Sequence, residues 1–354
     1  MTVKTDCRFF KGDVPCRPHK IKGVHCDNCP DYDATGKNIL FIKLAAIGDV
    51  IRTTPLLHRI KKEYPEAKIW WLTRTPEILP AEVDVKLSFG LESILALTET
   101  PFFLAFNLDK DREACALLNK IQAKKKYGYD LVNGLCHPLD SAAVQKWETG
   151  LFDDVNKENT KSYIEEIFAL AGYTFAGERY ILPFSDWQDK RWKFAKGKKV
   201  VGLNTGCGGR WTSRLWPETY WVKLAASLKK NGCEVVLLGG EQEHEKNLRL
   251  AKKSKAKYFG HYSLNGFINL MNHCDLVVTA VSMAMHLAIG LNKKIVLFNN
   301  IFNKNEFELY GLGEILEPEY DCTCYFSPTC PNNCMQYLKP ERVLETVKRL
   351  LPKK

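Results

Sequence analysis

Asn38-Ile-Leu-Phe-Ile-Lys-Leu44 is an apolar run of buried-strand length, and it gives way at once to the loop Ala45-Ala46-Ile47-Gly48-Asp49. Beyond the loop, Ile51, Leu56, Ile60 and Tyr64 recur with helical periodicity up to Pro65, and Lys68 to Leu72 reads as a second strand. A buried strand, a loop and a helix leading to another strand form the repeating unit of a parallel α/β domain. Ligands of such sheets sit beyond the carboxyl ends of the strands, so the loop ending in Asp49 is placed for a site. Asp49 is its one carboxylate, read either as an acid–base group or as a cap for the following helix.

Working outward, the alternation continues through Phe102 to Asn107, Ala114 to Ile121 and Ser162 to Ala171, with an irregular middle from about Tyr129 to Asn159. Phe184 to Lys199 is polar and aromatic. A second alternation then runs through strand Lys199 to Asn204, helix Glu218 to Lys230, strand Glu234 to Leu238 and helix Glu243 to Lys253. It continues through helix Asn265 to Asn272, strand Leu276 to Thr279, helix Met283 to Leu291 and strand Lys294 to Phe298. The expected organisation is a Cys-rich module at 1–36, a first Rossmann-like domain at 37–184 and a second at 185–338. Pro340 opens a last helix, 339–354, whose Val343, Val347 and Leu350 stripe is expected to pack back on the first domain.

The 354 residues, 45% hydrophobic and 26% charged, carry enough apolar material for a core and exclude a disordered, collagenous or coiled-coil chain. No apolar run approaches the roughly 20 residues that span a bilayer, and no secretory signal stands at the start, so a cytoplasmic location is expected. A formal charge of +10 points to an anionic partner: nucleotide, phospholipid surface or nucleic acid. Lys61, Lys62, Lys120, Lys124, Lys125 and Lys126 are the candidate contacts on the first domain, against the reading of an ordinary solvated charge run.

In the second domain, Asn204-Thr205-Gly206-Cys207-Gly208-Gly209-Arg210-Trp211-Thr212-Ser213-Arg214 follows a strand. Glycines allow a phosphate to approach the backbone, hydroxyls donate to it and arginine neutralises it, but the spacing is neither a P-loop nor a dinucleotide fingerprint. A structural glycine turn is the alternative. Gly240 precedes Glu241 and Glu243, which read as ribose acceptors or as first-turn acids, and Ser282, Met283 and His286 open the helix after another strand. His286 alone more often marks a hydrogen-bonded structural histidine.

Thirteen cysteines, an odd number, suit metal ligation better than complete pairing. Cys7, Cys16, Cys26 and Cys29 are expected to bind a structural metal, Zn or Fe. Cys322, Cys324, Cys330 and Cys334 form a second candidate set that reads equally as free thiols. Cys115, Cys136, Cys207, Cys233 and Cys274 read as core or loop residues.

With these residues in view, Ile39 through Pro55, Tyr64 through Ile69, Gly206 through Pro217, Val235 through Gly240, Met285-His-Leu-Ala288 and Cys322 through Met335 together resemble glycosyltransferase family 9, the ADP-heptose:lipopolysaccharide heptosyltransferases. The resemblance implies a GT-B fold, two Rossmann-like domains facing a cleft, with acceptor on the first and nucleotide-sugar on the second. It implies inverting transfer of heptose from ADP-heptose, or another nucleotide-sugar, to a lipopolysaccharide-core or related acceptor, without a catalytic cofactor and without nucleic acid. The site would be peripheral on the inner face of the cytoplasmic membrane. Asp49 would be the catalytic base. Donor-binding residues would be Thr205, Gly206, Gly208, Thr212, Ser213, Arg214, Gly240, Glu241, Glu243, Ser282, Met283 and His286. Two departures stand out: Val281 occupies the family's usual aspartate position, and Phe298-Asn299-Asn300-Ile301 replaces the usual Phe-Gly-Pro-Thr. Alternative readings are a protein heptosyltransferase with cysteine-bound iron and a non-catalytic, metal-stapled nucleotide-binding module.

Overall fold

The computed structural model describes residues 2–183 and 192–352, and the chain divides into two compact units. The first comprises Met1–Ala45, Thr54–Trp147 and Ile167–Glu178; the second comprises Ala46–Thr53, Glu148–Glu166 and Arg179–Lys354. The junction expected at 184/185 lies outside the described residues.

The first unit holds strands β1 (Asn38–Ile42), β2 (Lys68–Thr73), β3 (Val85–Ser88), β4 (Phe102–Asn107), β5 (Ala123–Val132) and β6 (Leu135–Pro138). They form one sheet in the order β3-β2-β1-β4-β5-β6, parallel except for the β5–β6 hairpin. β1 is central and buried on both faces, which is why it reads as a continuous apolar run rather than an alternating one. Phe41 stacks between Trp71 and Phe106 at centroid distances of 4.7 and 4.9 Å, while Leu40 and Ile42 join Leu72, Ala105 and Leu118 on the opposite side.

The second unit holds β7 (Val200–Asn204), β8 (Glu234–Leu238), β9 (Leu276–Ala280), β10 (Lys294–Phe298) and β11 (Gly313–Leu316), all parallel in the order β11-β10-β9-β7-β8. Both halves therefore carry the expected α/β architecture.

Several expectations require correction. The pattern from Ile51 to Tyr64 is two helices, Ile47–Ile51 and Leu56–Glu63, because Pro55 has no N–H with which to continue the first. The first of these, with Asp49, belongs to the second unit. The stretch read as irregular contains the β5–β6 hairpin, turned by Asn133 (φ 51°) and Gly134 (φ 77°), and helices Ser141–Glu148 and Asp153–Glu158. Asn-Gly in left-handed conformation is the favoured two-residue hairpin turn. Residues 148–166 join the second unit through Asn303, whose amide donates to the carbonyls of Asn156 and Asn159 at 2.6 and 2.7 Å.

Helix Pro340–Leu350 closes the second unit: Val343 and Val347 are buried in one core with Trp216, Trp221, Val296 and Phe298, which uses up the apolar stripe assigned to the first domain. Lastly, Lys124, Lys125 and Lys126 lie on β5, so the two-residue period sends Lys125 to the face opposite its neighbours. They are not one contiguous patch.

Candidate active site

The carboxyl ends of β7 and β9 are tied together by Asn204, whose amide donates to Gly206 O at 2.9 Å and to Thr279 Oγ1 at 3.0 Å. Thr205 is buried and donates to Asn247 Oδ1 at 2.6 Å, while Lys246 Nζ caps the Thr205 carbonyl at 2.8 Å. A Cβ at Gly206 would stand 2.0 Å from Glu243 Oε1, so any larger residue there would displace the Glu243 carboxylate. Glu243 also accepts from Gly240 N at 2.9 Å, so its carboxylate organises the Gly206 and Gly240 loops, whereas Glu241 is exposed.

Arg214 follows at 8% exposure. Its guanidinium donates to Val281 O and, at 2.9 Å, to Cys207 O, and it lies 5.5 Å from the Trp211 ring centroid and 5.6 Å from that of Phe302. Among the described residues no carboxylate pairs with it, and its Nε has no partner. Burial lowers its pKa, and the same cause lowers that of Lys246. The apolar Val281 side chain offers this guanidinium no counter-charge; it contributes only its backbone carbonyl. Exposed Gly208 and half-buried Ser282 and Met283 adjoin the same strand ends, with Ser282 Oγ 3.2 Å from Thr279 Oγ1.

Two expected phosphate donors are otherwise engaged. Ser213 Oγ donates to Ser327 O at 2.7 Å and Thr212 Oγ1 to Pro328 O at 3.3 Å, clasping the arginine loop to the segment that carries the second cysteine set. Asn300 strengthens the clasp, donating to Ser213 O at 2.8 Å and to Cys334 Sγ at 3.2 Å.

Asp49 sits in the first turn of helix Ile47–Ile51 and pairs with Arg52 at 2.5 Å, in a part-exposed setting. Arg52 stacks on Tyr163 with its guanidinium carbon 3.3 Å from the ring centroid. Burial opposes the charge of Arg52, but Asp49 and the surrounding acidic groups outweigh it and the pKa rises. The helix packs on helix Met283–Gly290, where a Cβ at Gly48 would lie 2.5 Å from His286 Cδ2. His286 is buried with Nδ1 3.4 Å from Tyr180 Oη, and burial with the nearby Arg52 cation holds its pKa down to about 3. His286 thus packs beneath Asp49, against Gly48 and Tyr180. Arg52, Tyr163 and Tyr180 escape a sequence reading because they converge from three segments. So does Asp109, which is buried in the first unit, bonds Lys43 Nζ at 2.7 Å and Ala45 N at 2.9 Å, and fixes the end of β1. The Lys43 to Leu44 step directly after an apolar strand was its only signal.

Cys322, Cys324, Cys330 and Cys334 bring four sulfurs within 4.8 Å of one another, with contacts of 2.9, 3.5 and 3.7 Å. A tetrahedral ion with metal–sulfur bonds of about 2.3 Å sets sulfurs about 3.8 Å apart, so this set fits one ion. Cys7, Cys16, Cys26 and Cys29 do not form such a set, although they line one concavity. All are free thiols.

Several known proteins share this architecture. A lipooligosaccharide heptosyltransferase 2 of Campylobacter jejuni is 27% identical over 169 residues, 44% of this chain and 52% of the relative. The chain thus spans about half the length of the curated relatives it matches. Among solved structures, a glycosyl transferase family 9 protein of Veillonella parvula superposes with TM-score 0.65 at 17% identity, covering 90% of this chain and 98% of that one. The ADP-heptose lps heptosyltransferase II of E. coli gives 0.61 at 18%, covering 89% and 98%, and the iron-containing dodecameric glycosyltransferase TibC of enterotoxigenic E. coli gives 0.55 at 14%, covering 90% and 76%. These likenesses establish the GT-B fold expected from the sequence. The sequence profile of Glycosyltransferase family 9 (heptosyltransferase) matches residues 115–300, more than half of the chain, which therefore belongs to that family.

Proposed function

We propose that the chain is an inverting glycosyltransferase that moves a heptose from ADP-heptose to a lipopolysaccharide-core or related cell-envelope acceptor. The observation that carries the donor side is Arg214: a buried cation with no carboxylate partner among the described residues, held at strand ends by two carbonyls. A buried charge of this kind calls for a counter-ion, and a diphosphate supplies one. The relatives' names, which include ADP-heptose and lipooligosaccharide, support the same donor and acceptor class.

In the proposed reaction Asp49 accepts the proton of the acceptor hydroxyl as its oxygen attacks the anomeric carbon from the face opposite the diphosphate. The bond to the diphosphate breaks, and Arg214 and Lys246 offset the charge that gathers on the departing ADP. Arg52 pairs with Asp49 and aims its carboxylate. Thr205, Gly206, Gly208, Gly240, Glu243, Ser282 and Met283 shape the donor pocket, with Glu243 preferred over Glu241 near the ribose. No metal enters these steps; an ion at Cys322, Cys324, Cys330 and Cys334 would brace the arginine loop. No described helix is long and apolar enough to cross a membrane, and we place the acceptor at the inner face of the cytoplasmic membrane.

Incubation with ADP-heptose and a heptose-deficient core acceptor should release ADP and raise the acceptor mass by one heptose. Arg214→Ala should weaken ADP binding tenfold or more, since hydrogen bonds to charged groups contribute about 1.5–3 kcal/mol. Unchanged ADP affinity would refute the donor assignment. The four-sulfur set, together with the iron-containing glycosyltransferase among the structural neighbours, favours one second reading, a protein acceptor; iron in the purified protein together with heptose on a protein would support it.

A further inference from the structure

We infer that Cys7, Cys16, Cys26 and Cys29 hold a polynuclear iron–sulfur cluster rather than a single metal ion. The four thiols reach one place from separate pieces of chain. Cys7 pairs in a bridge with Ala34, Cys16 precedes helix Arg17–Lys22, and Cys26 and Cys29 flank the turn Cys26–Asn28. Together they line a solvent-open concavity, walled also by Phe10, Pro18, Val24, His25 and Tyr32.

The contrast with the second cysteine set decides the ligand. There the sulfurs crowd to single-ion distances; here the four thiols line a common hollow, and no three of them come within 4.8 Å of one another. One tetrahedral ion has to draw all four sulfurs to about 3.8 Å. In a cluster the iron atoms and bridging sulfides occupy the middle, and the cysteines bind different irons from farther apart. Thiols that line one hollow without gathering to single-ion distances suit the second case.

Charge agrees. Four thiolates around a cluster leave net negative charge, and Lys4 lines the hollow with its Nζ 3.9 Å from the Tyr32 ring centroid. The scaffold is anchored independently of any ligand: Arg8 bonds Asp33 at 2.7 Å, Asp84 at 2.9 Å and Ala67 O at 3.0 Å, which docks the segment on the first unit. A segment this short and polar has too little apolar surface to hold its own shape, so the cluster acts as its staple.

The test is analysis of the full chain, reconstituted anaerobically with ferric iron, a dithiol reductant and sulfide, for iron, zinc and acid-labile sulfide. The inference requires about two or four irons with matching sulfide per chain and a visible charge-transfer band that dithionite bleaches. A mononuclear ion at Cys322, Cys324, Cys330 and Cys334 contributes no sulfide, so sulfide reports this site alone. Cys26→Ser with Cys29→Ser should abolish the sulfide while ADP binding, measured in parallel, shows that the second unit remains folded. Cys330→Ser should leave sulfide unchanged. Zinc without sulfide, sulfide that survives the Cys26/Cys29 substitutions, or a reconstituted chain with no sulfide would each overturn the inference.

Discussion

Replacing Gly48 with alanine tests the packing on which Asp49 depends. The added methyl would sit 2.5 Å from His286 Cδ2 and 3.2 Å from Nε2. Ordinary carbon contacts lie near 3.5–4.0 Å, so the ring or the helix has to move by about 1 Å. The ring cannot swing into solvent, because His286 is 6% exposed and contacts Tyr180. Overpacking of this kind costs about 1–3 kcal/mol, and a contact this short belongs at the upper end. Alanine returns up to about 1 kcal/mol of helix propensity, less in a first turn, leaving a net loss of about 2 kcal/mol. Urea unfolding of Gly48→Ala should show that loss, and turnover should fall more than ADP affinity, since the displaced helix carries Asp49. In a His286→Ala background the same substitution should be neutral or slightly stabilising, giving a coupling of about 2–3 kcal/mol in a double-mutant cycle. Equal effects of Gly48→Ala in both backgrounds would refute the reasoning.

Asp49→Asn should lower turnover by roughly two to four orders of magnitude with ADP affinity unchanged in calorimetry; near-normal turnover would leave Asp49 as the partner of Arg52 only. His286, neutral in the fold with a pKa near 3 against an ordinary value of about 6.5, binds a proton more readily when unfolded. Stability should therefore fall as pH drops from about 6.5 toward 3, by up to a few kcal/mol, and the acid limb of the denaturation midpoint should flatten in His286→Ala. Asn300→Ala removes the bridge between Cys334 and the Ser213 carbonyl, and is expected to raise the ADP dissociation constant several-fold while metal content stays at the wild-type level. Loss of metal with unchanged ADP affinity would show that Asn300 serves the cysteines alone.

The local pattern carried most of the secondary structure. β1, β2, β4 and the five-strand second sheet apart from β11 are runs of buried aliphatic residues bounded by turn formers, and a strand buried on both faces can be recognised without knowing its neighbours. The short edge strands β3, β6 and β11 were not legible, because an edge has one partner and needs little apolar content; only Asn133-Gly134 marked the β5–β6 turn. The motif positions of Asp49, Arg214 and the glycine loops were legible for the same reason, since spacing along one strand-end loop is local information. What each side chain does was settled by residues distant in sequence. His286 is a packing residue because Gly48 lies against it, and Thr212 and Ser213 are loop clasps because 327 and 328 return beside them. Arg214 is held by the carbonyls of Val281 and Cys207, which come from distant positions, with no carboxylate pairing it among the described residues. Cysteine spacing could count ligands but not the distance between sulfurs, and that distance, set by how far the chain can bring four segments together, is what separates the two sets. Sequence thus determined the elements and the candidate groups, while burial, pairing and charge state belong to contacts that exist only once the chain has folded.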